Sequence, residues 1–141
     1  MLYPFGVESD PVSALINVDG TLYGTTSGDV GGGTVFSITP DGTLKTIYGF
    51  GGSDGSNPVA GLIDVKGVLY GTTAMGGVKN VGTVFSVTTS GEETVLHSFQ
   101  AGTGENPRAG LLEVGGTLFG TTYGAVKHDH PGRGNVFTMA P

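Results

Sequence analysis

The residues with the most evident chemical potential lie in one stretch, Lys127-His128-Asp129-His130, where two of the chain's three histidines flank a carboxylate. Neutral imidazoles so placed can supply a pair of metal ligands. Neighbouring residues of one loop with no second cluster fall short of a metal centre, so a solvated polar loop is the first reading of the segment. His128, Asp129 and His130 are kept as candidate contacts to a bound molecule, the two histidines as candidate metal ligands, and no metal or other cofactor is expected. Asp10, Asn57 and Asn106 each precede a proline. Their side-chain oxygens could form a ring around a common axis, although Asp or Asn before Pro is also ordinary turn chemistry and a local cap is the expected role. Among the aromatic residues Tyr123 is the candidate stacking surface for a sugar, while Tyr23, Tyr70 and Phe119 are expected in the core.

Other chemistries find no footing. No Ser-His-Asp constellation, paired carboxylates or phosphate loop can be assembled, and Gly31-Gly32-Gly33 resembles a phosphate cradle only in composition because no helix follows it. The chain has no cysteine, which removes disulfides, thiolate metal sites and a thiol nucleophile. Six Lys and Arg, scattered, against twelve Asp and Glu give a net charge of -6, the wrong sign for a phosphate backbone. Nucleic acid is therefore not expected as a partner. No apolar run approaches the ~20 residues that span a bilayer, and the first residues show neither a basic nor an apolar leader region, so the sequence reads as a soluble chain.

What must position these residues is a repeat. Leu22-Tyr23-Gly24-Thr25-Thr26 returns as Leu69-Tyr70-Gly71-Thr72-Thr73 and as Leu118-Phe119-Gly120-Thr121-Thr122. Pro11 to Ile16 returns at Pro58 to Ile63 and Pro107 to Leu112, and Gly33-Thr34-Val35-Phe36 at Gly82 to Phe85 and Gly134 to Phe137. A fixed period of this length means stacked supersecondary units. Each unit carries four β-prone runs, in the first copy Ala14 to Val18, Thr21 to Thr26, Thr34 to Thr39 and Leu44 to Phe50, separated by turn signals such as Asp19-Gly20 and Asp41-Gly42. No helical spacing is sustained, and no helix is expected. Apolar residues fall on both parities, Leu22 beside Tyr23 and Val35 beside Phe36, so both faces of each sheet must be covered. Neighbouring β-propeller blades supply such cover.

The ordered motifs Asn-Pro-x-x-Gly-Leu, Gly-x-Leu-Tyr-Gly-Thr-Thr and Gly-Thr-Val-Phe resemble the Gloeo_Verruco repeat over nearly the whole chain. The resemblance implies an all-β propeller of four-stranded antiparallel blades in bacterial proteins, often large and extracytoplasmic. It transfers no catalytic residue, since the matching positions are scaffold residues.

The expected layout is blade 1 at about 11–50, blade 2 at about 58–99 and blade 3 at about 107–139. The third copy lacks its last strand, and Leu2-Tyr3-Pro4-Phe5-Gly6 matches Ile47-Tyr48-Gly49-Phe50-Gly51, so residues 2–5 are expected to complete blade 3 in trans. Three blades are too few to surround an axis. A homodimer forming a six-bladed ring by strand exchange is therefore the expected partner arrangement, ahead of a nine-bladed trimer and of a stretch of a longer propeller. The loop between the second and third strands grows from Ser27–Gly33 through Ala74–Gly82 to Tyr123–Gly134, and such variation marks a binding face in repeat proteins. The functional expectation is a non-enzymatic binding or interaction module for a carbohydrate or a protein. The alternative is a propeller-type hydrolase or lyase with its site in the central channel.

Overall fold

The computed structural model describes residues 3–6, 10–28, 31–102, 104–124 and 134–141. Every element among them is a strand. Unit 1 holds β1 (Asp10–Pro11), β2 (Ile16–Val18), β3 (Thr21–Ser27), β4 (Thr34–Ile38) and β5 (Leu44–Gly49). Unit 2 holds β6 (Ile63–Val65), β7 (Val68–Thr73), β8 (Thr83–Thr88) and β9 (Glu93–Ser98), and unit 3 holds β10 (Leu112–Val114), β11 (Thr117–Thr121) and β12 (Val136–Met139). All pairings are antiparallel between sequence neighbours, apart from β1, which joins β2 in pairing with β3. The result is three open sheets. The innermost strand is shorter than expected: Ala14 and Leu15 lie outside it, and β1 and β2 make two separate contacts with β3. Tyr3–Gly6 form no strand within the single chain.

The middle sheet shows why both parities are apolar. Val84 and Phe85 are consecutive and both wholly buried. Phe85, Leu69, Val87 and Leu62 form one core cluster with Tyr23, Val35 and Phe50 of unit 1. Val84, Tyr70 and Phe99 form a second with Leu111 and Leu118 of unit 3. Alternate side chains of one strand thus serve two different seams.

The repeated Leu-Tyr/Phe-Gly-Thr-Thr motif acquires a role at each position from these seams. Its leucine faces the preceding unit and its aromatic residue the following one. Its glycine lies under a phenylalanine ring: a Cβ on Gly24 would stand 2.8 Å from Phe36 Cζ, and one on Gly71 would stand 2.7 Å from Phe85 Cζ. The first threonine reaches into the next unit, with Thr25 Oγ1 donating to Ala60 O at 3.2 Å and Thr72 Oγ1 to Ala109 O at 3.4 Å. The second bonds within its own sheet, Thr26 to Thr34 and Thr73 to Thr83, both at 2.8 Å.

Backbone bonds reinforce the seams. Asn57 N donates to Gly32 O at 2.7 Å and Asn106 N to Val81 O at 2.8 Å, each crossing from one unit to the preceding one. The outer strand is tied to its own sheet by Phe50 N donating to Gly33 O and Phe99 N to Gly82 O, both at 3.0 Å. A bulge interrupts β4–β5 at Val35/Phe36 and β8–β9 at Val84/Phe85, the same place in each copy, which increases the local twist of the outer strand.

Gly82 has φ +104°, and a Cβ there would meet Thr73 O of its own sheet at 2.4 Å and Pro107 Cδ across the seam at 2.7 Å. Gly20 has a similar φ of +83° but opens onto empty space. Gly82→Ala is therefore expected to cost ~2–4 kcal/mol, strain and collision together, against ~1–2 kcal/mol for Gly20→Ala from strain alone. Urea unfolding of the two variants measures the difference, and equal losses would show that the close packing of Gly82 against Thr73 and Pro107 contributes nothing.

Candidate functional site

The sequence candidates do not converge on one point. Asn57 and Asn106 adopt left-handed backbone conformations, φ +58° and +52°, which asparagine tolerates better than most side chains. Besides the inter-unit amide bonds, their carbonyls accept Ala74 N at 3.0 Å and Tyr123 N at 3.3 Å. The backbone thus accounts for asparagine at both sites. Asp10 differs: it lies in β1 opposite Ser27, exposed. His97 is also exposed, its ring edge-on to Phe99 at 4.8 Å, as Tyr48 is to Phe50 at 5.3 Å. His128, Asp129 and His130 lie outside the described residues. Among those described, no three His, Cys, Asp or Glu side chains gather as a metal site would require.

Tyr123 fares differently from the repeated aromatics. Tyr23 and Tyr70 are buried in the seams, whereas Tyr123 is 64% exposed just beyond β11. Arg108 lies 5.5 Å from its ring centroid, within cation–π range. The Tyr123–Asn106 backbone bond and Gly124 N donating to Glu105 O at 3.1 Å fasten this corner to the segment that carries Arg108. Glu105 is almost fully buried and accepts Gly102 N through Oε1 at 2.7 Å. Three departures from the repeat therefore gather here: Glu105 where unit 2 has Ser56, Arg108 where it has Val59, and Tyr123 where it has Ala74. An aromatic face and a guanidinium thus lie together at a hydrogen-bonded backbone corner. No nucleophile with an activating base accompanies them among the described residues.

A second polar group escapes a reading by motif. Tyr48 of β5 donates its hydroxyl to Asp54 Oδ2 at 2.6 Å, and Asp54 Oδ1 accepts Gly51 N at 2.9 Å. Glu93 of β9, across the seam, is half-buried, and its Oε1 has no hydrogen-bond partner. Burial, then the Asp54 charge, pushes the Glu93 carboxyl above its ordinary 4.5, while the hydrogen bond to Asp54 is the leading cause that raises the Tyr48 phenol. A phenol that holds its proton this firmly is a fixed donor and not a nucleophile. The signal available in the sequence is a mismatch between copies, glutamate at 93 where unit 1 has Leu44.

A raised carboxyl means that the folded state binds more protons than the unfolded one, so stability falls as pH rises from about 4.5 through the folded-state value. Glu93→Gln is expected to remove that contribution and to raise stability at neutral pH by under ~1 kcal/mol, since the carboxyl is only partly buried and solvent still screens it. Thermal melts of both proteins across this pH range test it; an unchanged slope would place its origin elsewhere.

Comparison with known proteins agrees with the repeat. No curated protein matches the chain. Residues 4–141 match the Gloeobacter/Verrucomicrobia repeat, which takes in all three units and the segment before them. The chain belongs to the Gloeobacter/Verrucomicrobia repeat family.

Proposed function

We propose that the chain is a non-enzymatic binding module whose three sheets are successive blades of a β-propeller. The blade reading is supported by the innermost segments, which run closest together: a Cβ on Gly61 would lie 3.6 Å from Ala14 O, and one on Gly110 would lie 3.4 Å from Gly61 O. Equivalent residues of successive units thus line up side by side at the inner edge, while the outer strands β5 and β9 lie at the opposite margin of their sheets. Sheets stacked face to face in this way are the wedges from which a propeller is built.

The observation that carries the binding reading is the gathering of Glu105, Arg108 and Tyr123 at one corner. Residues repeated in every unit are accounted for by the seams. Residues that break the repeat and remain exposed are free for recognition. Tyr123 backed by Arg108 suits the face of a sugar ring, where an aromatic surface takes the apolar C–H side and a guanidinium the hydroxyls. A protein ligand is the other occupant such a corner serves. The alternative of a hydrolase or lyase with its site in the channel rests on Asp10, since Asn57 and Asn106 are explained by their backbone.

A glycan array probed with the purified chain tests the reading. Binding is expected, with Tyr123→Ala weakening it about tenfold through loss of a stacking contact worth ~1–1.5 kcal/mol. Asp10→Ala is expected to leave it intact. Loss of binding in Asp10→Ala with Tyr123→Ala unaffected would move the site to the channel and favour the alternative.

A further inference from the structure

The two filled seams define what each end of the stack lacks. In both, a valine of the leading unit is wholly buried, Val35 in the first and Val84 in the second. Its counterpart in unit 3, Val136, is 74% exposed. On the other side of each seam a leucine is buried, Leu62 at 3% and Leu111 at 5% exposure, whereas its counterpart in unit 1, Leu15, is 47% exposed. Leu15 borders a groove of about 330 Å³ shared with Tyr3, Phe5, Ser13, Phe36 and Ile38. The hydroxyls follow suit: Thr25 and Thr72 are 1% exposed and donate across their seams, while Thr121 is exposed.

The segment before β1 already occupies a seam position. Phe5 meets Phe36 at 5.1 Å with the rings at 63°, as Phe50 meets Phe85 at 4.9 Å and 68° and Phe99 meets Phe137 at 5.1 Å and 68°. Phe50 and Phe99 each follow the outer strand of the preceding sheet, so Phe5 stands where the residue after such a strand stands in both filled seams. In the sheet of unit 3, β12 is the edge strand.

We propose that the exposed face of unit 3 docks head-to-tail on the exposed face of unit 1 in a second copy of this chain, and that two such seams close a ring of two copies. The proposal rests on the propeller reading above and specifies its partner. Val136 and Phe119 of one copy enter the groove beside Leu15 and Phe36 of the other. The Thr121 hydroxyl donates to the Ser13 carbonyl, the counterpart of Ala60 and Ala109. Tyr3–Phe5 add to the free edge of β12, with Tyr3 opposite Val136 as Tyr48 is opposite Val35 and His97 opposite Val84. The second copy is the favoured occupant because its unit 3 carries valine, aromatic and threonine where the filled seams carry them. A head-to-tail contact leaves one of each face unused until the ring closes.

The test is the solution mass by light scattering of the full chain and of two variants, Val136→Asp and Leu15→Asp. Both positions are exposed in the single chain, so each variant is expected to fold, with a far-ultraviolet circular dichroism spectrum like that of the parent. The parent is expected at about twice 14.2 kDa. Each variant alone should associate at least ~100-fold more weakly, because a carboxylate is placed in an apolar seam. An equimolar mixture of the two variants should recover a heterodimer, since it restores one intact seam, Val136 from one variant against Leu15 from the other. A monomeric parent overturns the proposal, as does a mass of three copies or a Leu15→Asp variant that still dimerises, which would indicate a face paired with itself. Glycan binding by a monomeric parent would retain the binding module and discard this ring, while a dimer that binds no glycan would do the reverse.

Discussion

The contact on which the rest of the molecule depends is the edge-on meeting of two phenylalanines across each seam, with a glycine beneath the second. Phe85 packs against Gly71 and meets Phe50 at 68°; Phe137 packs against Gly120 and meets Phe99 at the same angle. The glycine has a steric reason, since any Cβ would stand inside the ring's van der Waals radius. With that space open, the ring packs against its own sheet and still meets the neighbour's ring. Burial of each ring contributes ~2–3 kcal/mol, and the ring pair adds ~0.5–1.5 kcal/mol. Because the ring that receives one neighbour stands beside a valine that faces the other, no unit can satisfy both its faces alone. A single sheet of this sequence would expose an apolar surface on each side, and stacking is the way to cover them.

Much of this was legible in the sequence. The period, the β-prone runs and the apolar residues on both parities follow from local chemistry and spacing, and the sheets keep their order with five, four and three strands in units 1, 2 and 3. The less legible part lies where backbone geometry and not side-chain type decides. Asn57 and Asn106 offered amide oxygens, but the fold uses their tolerance of positive φ and their N–H groups, and a residue type does not reveal which of these is in use. The inner strand is also shorter than its apolar pattern. Ala14 and Leu15 read as strand, yet the ladder with β3 begins only at Ile16.

The candidate contact surface was half visible. Tyr123 could be named from its type and its place beside the longest loop, where units 1 and 2 carry Ser27 and Ala74, and its exposure is what the structure adds. Arg108 and Glu105 carry no motif. They stand out once the copies are superposed, because they replace Val59 and Ser56. The same comparison singles out Glu93 in the place of Leu44. The Tyr48–Asp54–Glu93 group unites an outer strand, a connector and the next unit's outer strand, a gathering no local spacing encodes.

A repeat divides its residues into two classes by symmetry. Any side chain that makes the seam must recur once per unit, because the seam recurs. A ligand that is not itself repeated sees a single corner, so its contacts lie among the residues in which one unit differs from the others. By that criterion the paired threonines, the glycine under the ring and the Asn-Pro corner belong to the scaffold, however polar they are. Tyr123 and Arg108 meet the opposite criterion, being singular and exposed together. Glu93 is singular but lies in a seam, where its charge opposes the contact around it. Singularity therefore identifies a residue freed from the scaffold, and exposure decides whether that freedom can serve binding.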